Sequence, residues 1–129
     1  MKNYIKMCKQ AKEIQEKWKP KRFDYYYAKL LGRDFVLAEL NSVNIIEKYI
    51  FNYIWLPTQE QLFAMVNFDK LLTFEFSSHK KTRTLYIMRT DGTCSLYKDD
   101  NFKGCILQYI MYEKYKKIWT GEKWVKANE

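Results

Sequence analysis

The side chains best suited to catalysis in this chain are one histidine and three cysteines, and their spacing matches no catalytic or metal-binding arrangement. His79 lies in the stretch SSHKK, which is typical of an exposed turn, so any Cys–His or Ser–His pair would depend on that one position. Cys8, Cys94 and Cys105 form no CxxC pair and lack the spacing of zinc ligands, which indicates reduced thiols in a cytoplasmic protein. No G-x-x-x-x-G-K-[ST] or G-x-G-x-x-G segment is present to hold a phosphate. We therefore expect no catalytic residues, no metal and no cofactor, and predict that the protein is not an enzyme.

The positive charge of the chain is concentrated at its two ends. The net charge is +8, and residues 1–22 hold eight Lys or Arg against two Glu. Residues 23–111 hold ten basic and ten acidic side chains, and residues 112–129 hold five Lys against three Glu. Such a layout could attract an anionic partner such as nucleic acid, and solubility alone can also explain it.

A first helix is predicted over residues 3–18, from Asn3 as its N-cap to the end that Pro20 imposes. Apolar side chains recur on one face at helical spacing: Tyr4, Met7, Cys8, Ala11, Ile14 and Trp18. Lysines occupy the opposite side: Lys2, Lys6, Lys9, Lys12 and Lys17. This lysine side is either a solvated surface or a row that follows a phosphate backbone. The helix contains no arginine, which argues against sequence-specific readout.

The segments that follow Pro20 favour strands and one short helix. Strands are predicted at 23–27, 34–40 and 44–56 because these segments are rich in aromatic and β-branched residues, and a helix over 28–31 or 44–52 also fits. In LPTQEQLFAMV, residues 56–66, Thr58 can cap a short helix and Gln61 completes a capping box. Its inward side is expected to carry Leu62, Phe63 and Val66.

Strands are predicted at residues 71–78 and 82–98, and the second segment contains Asp91-Gly92, the dipeptide of a two-residue type I′ hairpin loop. This loop would place three pairs of residues opposite each other: Thr90 and Thr93, Ile87 and Leu96, Tyr86 and Tyr97.

The last helix is predicted from Asn101 to Trp119, with Asp99 or Asp100 as its cap. Its first half is apolar nearly all round and belongs in the core: Phe102, Cys105, Ile106, Leu107, Ile110 and Met111. In its second half one face is formed by Leu107, Met111, Tyr115 and Ile118. Gly121 is placed for a left-handed cap, after which Trp124 can fold back onto Trp119 or Tyr115. The alternative is an exposed platform on which bases stack between lysines.

These elements predict one α+β domain over residues 1–129. We expect a mostly antiparallel sheet of about five strands, with the N- and C-terminal helices packed on one face and a short middle helix. The common face is inferred from the complementary apolar stripes of the two helices.

Three segments resemble those of a group of small, functionally uncharacterised bacteriophage and prophage proteins. They are KMCKQAKEIQEKWKPK at 6–21, IWLPTQEQLFAMV at 54–66 and MYEKYKKIWTGEKWV at 111–125. The second is similar to the pattern W-L-P-R-Q-D-Q-L-Q of the group, with Thr58 in place of the arginine, and the third to E-K-Y-x-K-x-W-x-G-x-x-W-V. The resemblance implies a phage-encoded protein that acts in a bacterial cytoplasm, and it implies no reaction.

Two binding functions remain after these exclusions. The first is an accessory protein that binds an unknown host or phage protein, which suits the abundance of Tyr and Trp. The second is a nucleic-acid-binding protein that uses the basic terminal helices. The candidate contacts are Lys6, Lys9, Lys12, Lys17, Lys116, Lys117, Lys123 and Trp124. No segment is long and apolar enough for a membrane span, so we expect no membrane partner, and a homodimer is a further option.

Overall fold

The computed structural model describes residues 2–30, 33–39 and 53–127, and it confirms an α+β protein with helices and antiparallel strands. The chain divides into two compact units, an N-terminal unit over residues 2–58 and a C-terminal unit over residues 59–129. Among the described helices, none is long and apolar enough to span a membrane.

The described strands fall into three antiparallel sheets, whereas we expected about five strands in one sheet. The single domain and the common packing face of the terminal helices stay predictions. The prediction of a strand or a helix over 44–52 lies outside the described residues.

Three strands form the sheet of the N-terminal unit: β1 (Tyr25–Leu30), β2 (Arg33–Glu39) and β3 (Tyr53–Trp55), in the order β2-β1-β3. Both pairings are antiparallel, and β1 lies in the middle. Residues 28–30 are therefore extended, and the alternative of a helix starting there is wrong.

The predicted first helix is two helices, α1 (Lys2–Gln10) and α2 (Lys12–Glu16), separated at Ala11, whose ψ of 73° is not helical. The proposed N-cap is also wrong, because Asn3 lies inside α1. The apolar face is confirmed, since all six of its predicted members are buried: Tyr4, Met7, Cys8, Ala11, Ile14 and Trp18. The apolar face continues across the break because the Ala11 N–H still donates to the carbonyls of Met7 and Cys8. The apolar side chains of α2 therefore lie on nearly the same side as those of α1.

The side chain of Gln15 links α1 and strand β3 by hydrogen bonds. Its Nε2 donates to the carbonyls of Cys8 (3.1 Å) and Trp55 (2.9 Å), and its Oε1 accepts from the N–H of Trp55 (2.8 Å). The carboxamide thus pairs with Trp55 as a neighbouring strand would, on the side of β3 that faces away from β1. Tyr4 adds a second link through a hydrogen bond from its hydroxyl to the carbonyl of Pro57 (2.7 Å).

The C-terminal unit contains a helix packed on a second sheet. Strands β4 (Leu71–His79), β5 (Thr82–Arg89) and β6 (Cys94–Asp99) are antiparallel in that order. Helix α4 (Phe102–Tyr115) packs against β5 and β6. The core of this layer is made by buried side chains of β5 and α4: Leu85, Ile87, Cys105, Ile106, Leu107, Tyr109, Ile110 and Met111.

The predicted short middle helix is present as α3 (Gln59–Phe63) and begins directly after Thr58, the expected cap position. It is shorter than the predicted segment and is followed by a 3₁₀ turn at Phe68–Lys70. Leu62 is fully buried, while Phe63 and Val66 are half-buried. The ring of Phe63 packs in a cluster with other phenylalanines of the unit: Phe68, Phe74 and Phe76.

The β5–β6 hairpin forms where predicted, but the predicted register is wrong by one residue. Tyr86 lies opposite Leu96 and Ile87 opposite Ser95. A type I′ loop needs positive φ at both loop residues, and here Gly92 has φ +88° while Asp91 is not in the positive-φ region. The Arg89 N–H donates to the Thr93 carbonyl (2.8 Å), so the loop has three residues, with Gly92 in the left-handed position.

The C-terminal segment departs most from the sequence prediction. Asn101, rather than Asp99 or Asp100, caps α4 by accepting the Lys103 N–H (2.8 Å), and α4 ends at Tyr115. The left-handed cap is Lys116 (φ 54°), not Gly121.

After this cap the chain forms a hairpin of β7 (Lys117–Trp119) and β8 (Trp124–Lys126). Ile118 therefore lies on a strand and is 46% exposed, so its predicted place on a helix face is wrong. Gly121, with φ +100°, serves the turn of this hairpin. The prediction that Trp124 folds back onto Trp119 is confirmed, because the two residues are cross-strand partners with ring centroids 5.1 Å apart.

Candidate binding surfaces

The predicted contact lysines lie in both units. In the N-terminal unit, Lys9, Lys12 and Lys17 are exposed and Lys6 is half-buried. Lys9 and Lys12 border a shallow groove of about 250 Å³ that also contains Trp18, Tyr53 and Ile54. The predicted row of lysines therefore has aromatic neighbours within its own unit.

The other predicted contacts lie around the C-terminal hairpin. Lys116 and Lys123 are exposed, and Lys117 and Trp124 are half-buried. The joining of these lysines with those of the first helix into one patch stays a prediction. The tryptophan pair is partly covered, as the fold-back predicted, and the ring of Trp119 borders a groove of its own.

This groove, called here the edge groove, has a volume of about 300 Å³ and runs beside β6. One wall of the groove is formed by Ser95, Leu96 and Tyr97. The remaining lining residues are Gln108, Tyr112, Lys117, Ile118 and Trp119. Leu96 is 54% exposed and Ile118 is 46% exposed, so two apolar side chains face solvent at its rim. Among these lining residues none is a carboxylate and Lys117 is cationic, so the groove favours an apolar ligand that carries negative charge.

The backbone of β6 presents hydrogen-bonding groups to the edge groove. Arg89 and Thr93 form a hydrogen-bonded pair, and such pairs alternate along an antiparallel ladder. The backbone groups of Ser95 and Tyr97 therefore point to β5, and those of Leu96 point away from it. The Lys98 carbonyl, which has the same orientation, accepts a hydrogen bond from the Gln108 side chain (2.8 Å), which confirms the alternation. Within the described residues β6 has β5 as its only strand neighbour, so this edge is open.

Trp119 lines the edge groove and also carries a buried polar group. Its Nε1 is buried and has no hydrogen-bond acceptor among the described residues. A buried N–H without an acceptor costs about 1–3 kcal/mol.

A second surface is the basic loop, residues 17–23, of which the sequence patterns singled out only Lys17 and Trp18. Its sequence KWKPKRF contains four cations and no carboxylate. Phe23 is 58% exposed and has a φ of 74°. The left-handed region costs a residue with a Cβ about 1–2 kcal/mol, and Phe has no short polar side chain to compensate. The Arg22 guanidinium lies 5.1 Å from the Phe23 ring centroid, a contact worth about 0.5–1 kcal/mol at an exposed site.

Asp24 fixes the conformation of the basic loop. Its carboxylate is buried and accepts from the Trp18 Nε1 (3.0 Å) and the Lys21 N–H (2.9 Å). The Asp24 N–H donates back to the Lys21 carbonyl (3.1 Å). Trp18 in turn stacks on Trp55, with ring centroids 6.2 Å apart and planes 2° from parallel. These contacts fix the backbone conformation of the loop that carries the exposed Phe23 ring.

A third, polar groove of about 470 Å³ lies between the β5–β6 hairpin and α4. Arg89 donates from Nε to Glu113 (2.6 Å) and from Nη1 to Ser95 (3.0 Å). Burial lowers the pKa of Arg89, and the hydrogen bond and charge of Glu113 outweigh this and raise it. Burial also raises the pKa of Tyr109, which lines the groove, to about 12. Arg89 and Tyr109 therefore stay protonated at neutral pH and offer no general base here.

The residues considered for catalysis are not assembled into a metal site. His79 is exposed at the end of β4, and Cys8 and Cys105 are buried. Burial raises the pKa of the Cys105 thiol to about 12. Over the described part of the chain, no three His, Cys, Asp or Glu residues are grouped so that they could hold a metal ion.

Local sequence patterns do not reveal that Leu96 and Ile118 lie at one groove. The turn dipeptide places Leu96 in a cross-strand pair with Ile87, and helical spacing places Ile118 on the face of the last helix. The observed strand register and the earlier end of α4 bring both side chains to the rim of the edge groove instead.

No protein-family model matches the chain, and neither a curated protein nor a solved structure is significantly similar to it.

Proposed function

We propose that this chain is a non-catalytic accessory protein that acts by binding a protein partner, a host or phage protein in a bacterial cytoplasm. The phage origin rests on the resemblance of three segments, and the binding role rests on the edge groove. The observation that carries it is the open edge of β6 beside exposed Leu96 and Ile118. In this proposal no cofactor takes part.

The edge groove suits an extended segment of the partner that adds to the sheet next to β6. In this binding mode backbone hydrogen bonds give affinity, and alternate side chains of the peptide enter pockets. The outward N–H and C=O groups of Leu96 are available in the geometry of an added strand, and each such bond contributes about 0.5–1.5 kcal/mol. Apolar side chains of the segment would contact Tyr97, Ile118 and Trp119.

The charge of the groove favours acidic residues at the outward positions of the bound segment. Lys117 lines the groove, Lys98 lies on β6, which forms one wall, and Lys126 is the cross-strand partner of Lys117. We therefore expect a segment in which apolar and acidic side chains alternate, as a half-buried strand requires.

The test is selection of peptides from a random display library against the full chain, followed by affinity measurement with two variants of Leu96. Leu96→Pro removes the outward N–H, which β5 does not use, so we expect the fold to persist and affinity to fall at least tenfold. Leu96→Ala keeps the N–H and is expected to lose severalfold less. Leu72, 65% exposed on β4, provides the matched control, and Leu72→Ala should leave affinity unchanged.

The proposal fails if the selection yields no extended apolar-acidic sequences. It also fails if Leu96→Pro, folded by circular dichroism, binds the selected peptides as well as the unmodified chain does. An equal loss for Leu72→Ala would assign the binding to a different edge of the sheet.

A further inference from the structure

The basic loop combines features that the edge groove does not need. Three cations that follow one another closely, Lys19, Lys21 and Arg22, are exposed, and the ring of Phe23 stands among them. A glycine or asparagine would adopt the φ of 74° at position 23 with less strain. Phe23 gains little burial in return, because the residue is 58% exposed. Strain of this kind at an exposed site indicates a function for the side chain.

The loop is also pre-organised for a ligand. The hydrogen bonds of Asp24 with Lys21 and Trp18 fix the backbone on both sides of the turn, and Pro20 restricts its start. After the turn, the Tyr25 carbonyl accepts the Leu56 N–H (3.0 Å), which ties the chain to the sheet. A ring held this way loses little conformational freedom when a ligand stacks on it.

We infer that the basic loop is a binding site for single-stranded nucleic acid, with Phe23 as the stacking surface for a base and the cations as phosphate contacts. A positively charged surface with an exposed aromatic ring is the arrangement by which proteins bind single strands without sequence preference. Paired bases present no free face to a single ring on a turn, so a double strand would be bound only through its phosphates. A guanidinium near the ring, as in Arg22, can also lie against the base or its phosphate.

The charge of the loop sets the expected salt dependence. Three phosphate contacts by Lys19, Lys21 and Arg22 give a slope of log affinity against log salt of about −2 for a single strand, at about −0.7 for each contact. Replacing one of these cations by glutamine should make the slope shallower by about 0.7. This site is independent of the peptide site proposed above, and neither proposal requires the other.

The experiment is fluorescence anisotropy of a labelled fifteen-nucleotide oligothymidylate with the full chain, at several salt concentrations. Phe23→Gly removes the ring and the strain together, so we expect binding to weaken at least tenfold while the thermal unfolding temperature rises. Phe23→Trp should retain binding, and Phe23→Leu, which keeps an apolar side chain without a stacking face, should lose it. The control is Phe68→Ala, which removes another exposed ring (46%) next to an acidic residue in the C-terminal unit.

Several results would overturn the inference. The first is the absence of oligothymidylate binding at 50 mM salt. The second is equal binding by the unmodified chain and Phe23→Gly, or a salt slope that Arg22→Gln leaves unchanged. The third is binding of the unmodified chain and of Phe23→Leu with equal affinity to vesicles that contain about a quarter phosphatidylserine, while neither protein binds oligothymidylate. That result would assign the loop to an anionic membrane surface. A fall in unfolding temperature for Phe23→Gly would show that the ring has a structural role instead.

Discussion

Gln15 provides the most direct test of what stabilises the N-terminal unit. Gln15→Ala removes the hydrogen bonds to the Cys8 carbonyl and to both backbone groups of Trp55. Each such bond contributes about 1 kcal/mol net, and leaving buried partners unpaired costs about 1–3 kcal/mol each. Gln15 is half-exposed, so water replaces part of the loss. We expect the free energy of unfolding to fall by about 2–3 kcal/mol.

The measurement is urea unfolding followed by circular dichroism, together with amide hydrogen exchange at Trp55 and Leu56. Exchange at Trp55 should accelerate most, because its N–H loses its acceptor. Glu16→Ala is the control, since Glu16 lies on the same helix and is exposed. A loss below about 1 kcal/mol, or a loss equal to that of the control, would refute the role given to the carboxamide.

Gln15→Glu adds a test by pH. The introduced carboxyl would face the carbonyls of Cys8 and Trp55, which disfavour its charged form, and the Trp55 N–H, which favours it. Because two carbonyls oppose one donor, we expect its pKa in the folded protein to be raised. Since the folded pKa then exceeds the unfolded value of about 4.3, stability is highest below that value and is lost as the pH rises through the folded pKa. A variant equally stable at pH 4 and pH 7 would contradict this geometry.

Three further perturbations test the C-terminal unit. An added Cβ at Gly104 would collide with the Asp99 carboxylate, so Gly104→Ala should lower the free energy of unfolding by about 1–3 kcal/mol in a urea titration. Lys116→Gly should raise it by about 0.5–1 kcal/mol, because glycine adopts the φ of 54° without strain, and thermal unfolding checks this. Hydrogen bonds from the Thr93 hydroxyl and N–H lower the pKa of Asp91 below its ordinary 3.8. The stability this contributes is present above that value and lost as the pH falls through the folded pKa, so Asp91→Asn should show less acid destabilisation below about pH 4.

The periodicity of apolar residues predicted the buried faces well. Tyr4, Met7 and Ile14 were expected inside and are buried, although the helix that carries them is broken at Ala11. The spacing of apolar side chains determines which residues share a helix face, and a single non-helical ψ changes little which side chains point inward. The Gln15 side chain at this break bonds to the distant Trp55, and a local pattern cannot show such a partner.

The hairpin shows where local turn chemistry is insufficient. Asp91-Gly92 correctly predicted a turn, and the same dipeptide fits loops of two or three residues. The three-residue loop is fixed by the Asp91 carboxylate, which binds the Thr93 N–H and hydroxyl. Relative to the predicted register, the observed pairing is shifted by one residue, so Leu96 lies on the face of the sheet opposite the predicted one. There its side chain is at the rim of the edge groove.

The sequence by itself determined the α+β class, the apolar faces, the turn at Asp91-Gly92 and the folding back of Trp124, because these follow from short-range spacing and turn residues. The tertiary structure decided which apolar side chains stay exposed, where α4 ends and which strand edge is open. These features depend on strand register and on contacts between residues distant in the chain, which local patterns do not show. The strained ring of Phe23 belongs with them, since its conformation is held by the buried carboxylate of Asp24.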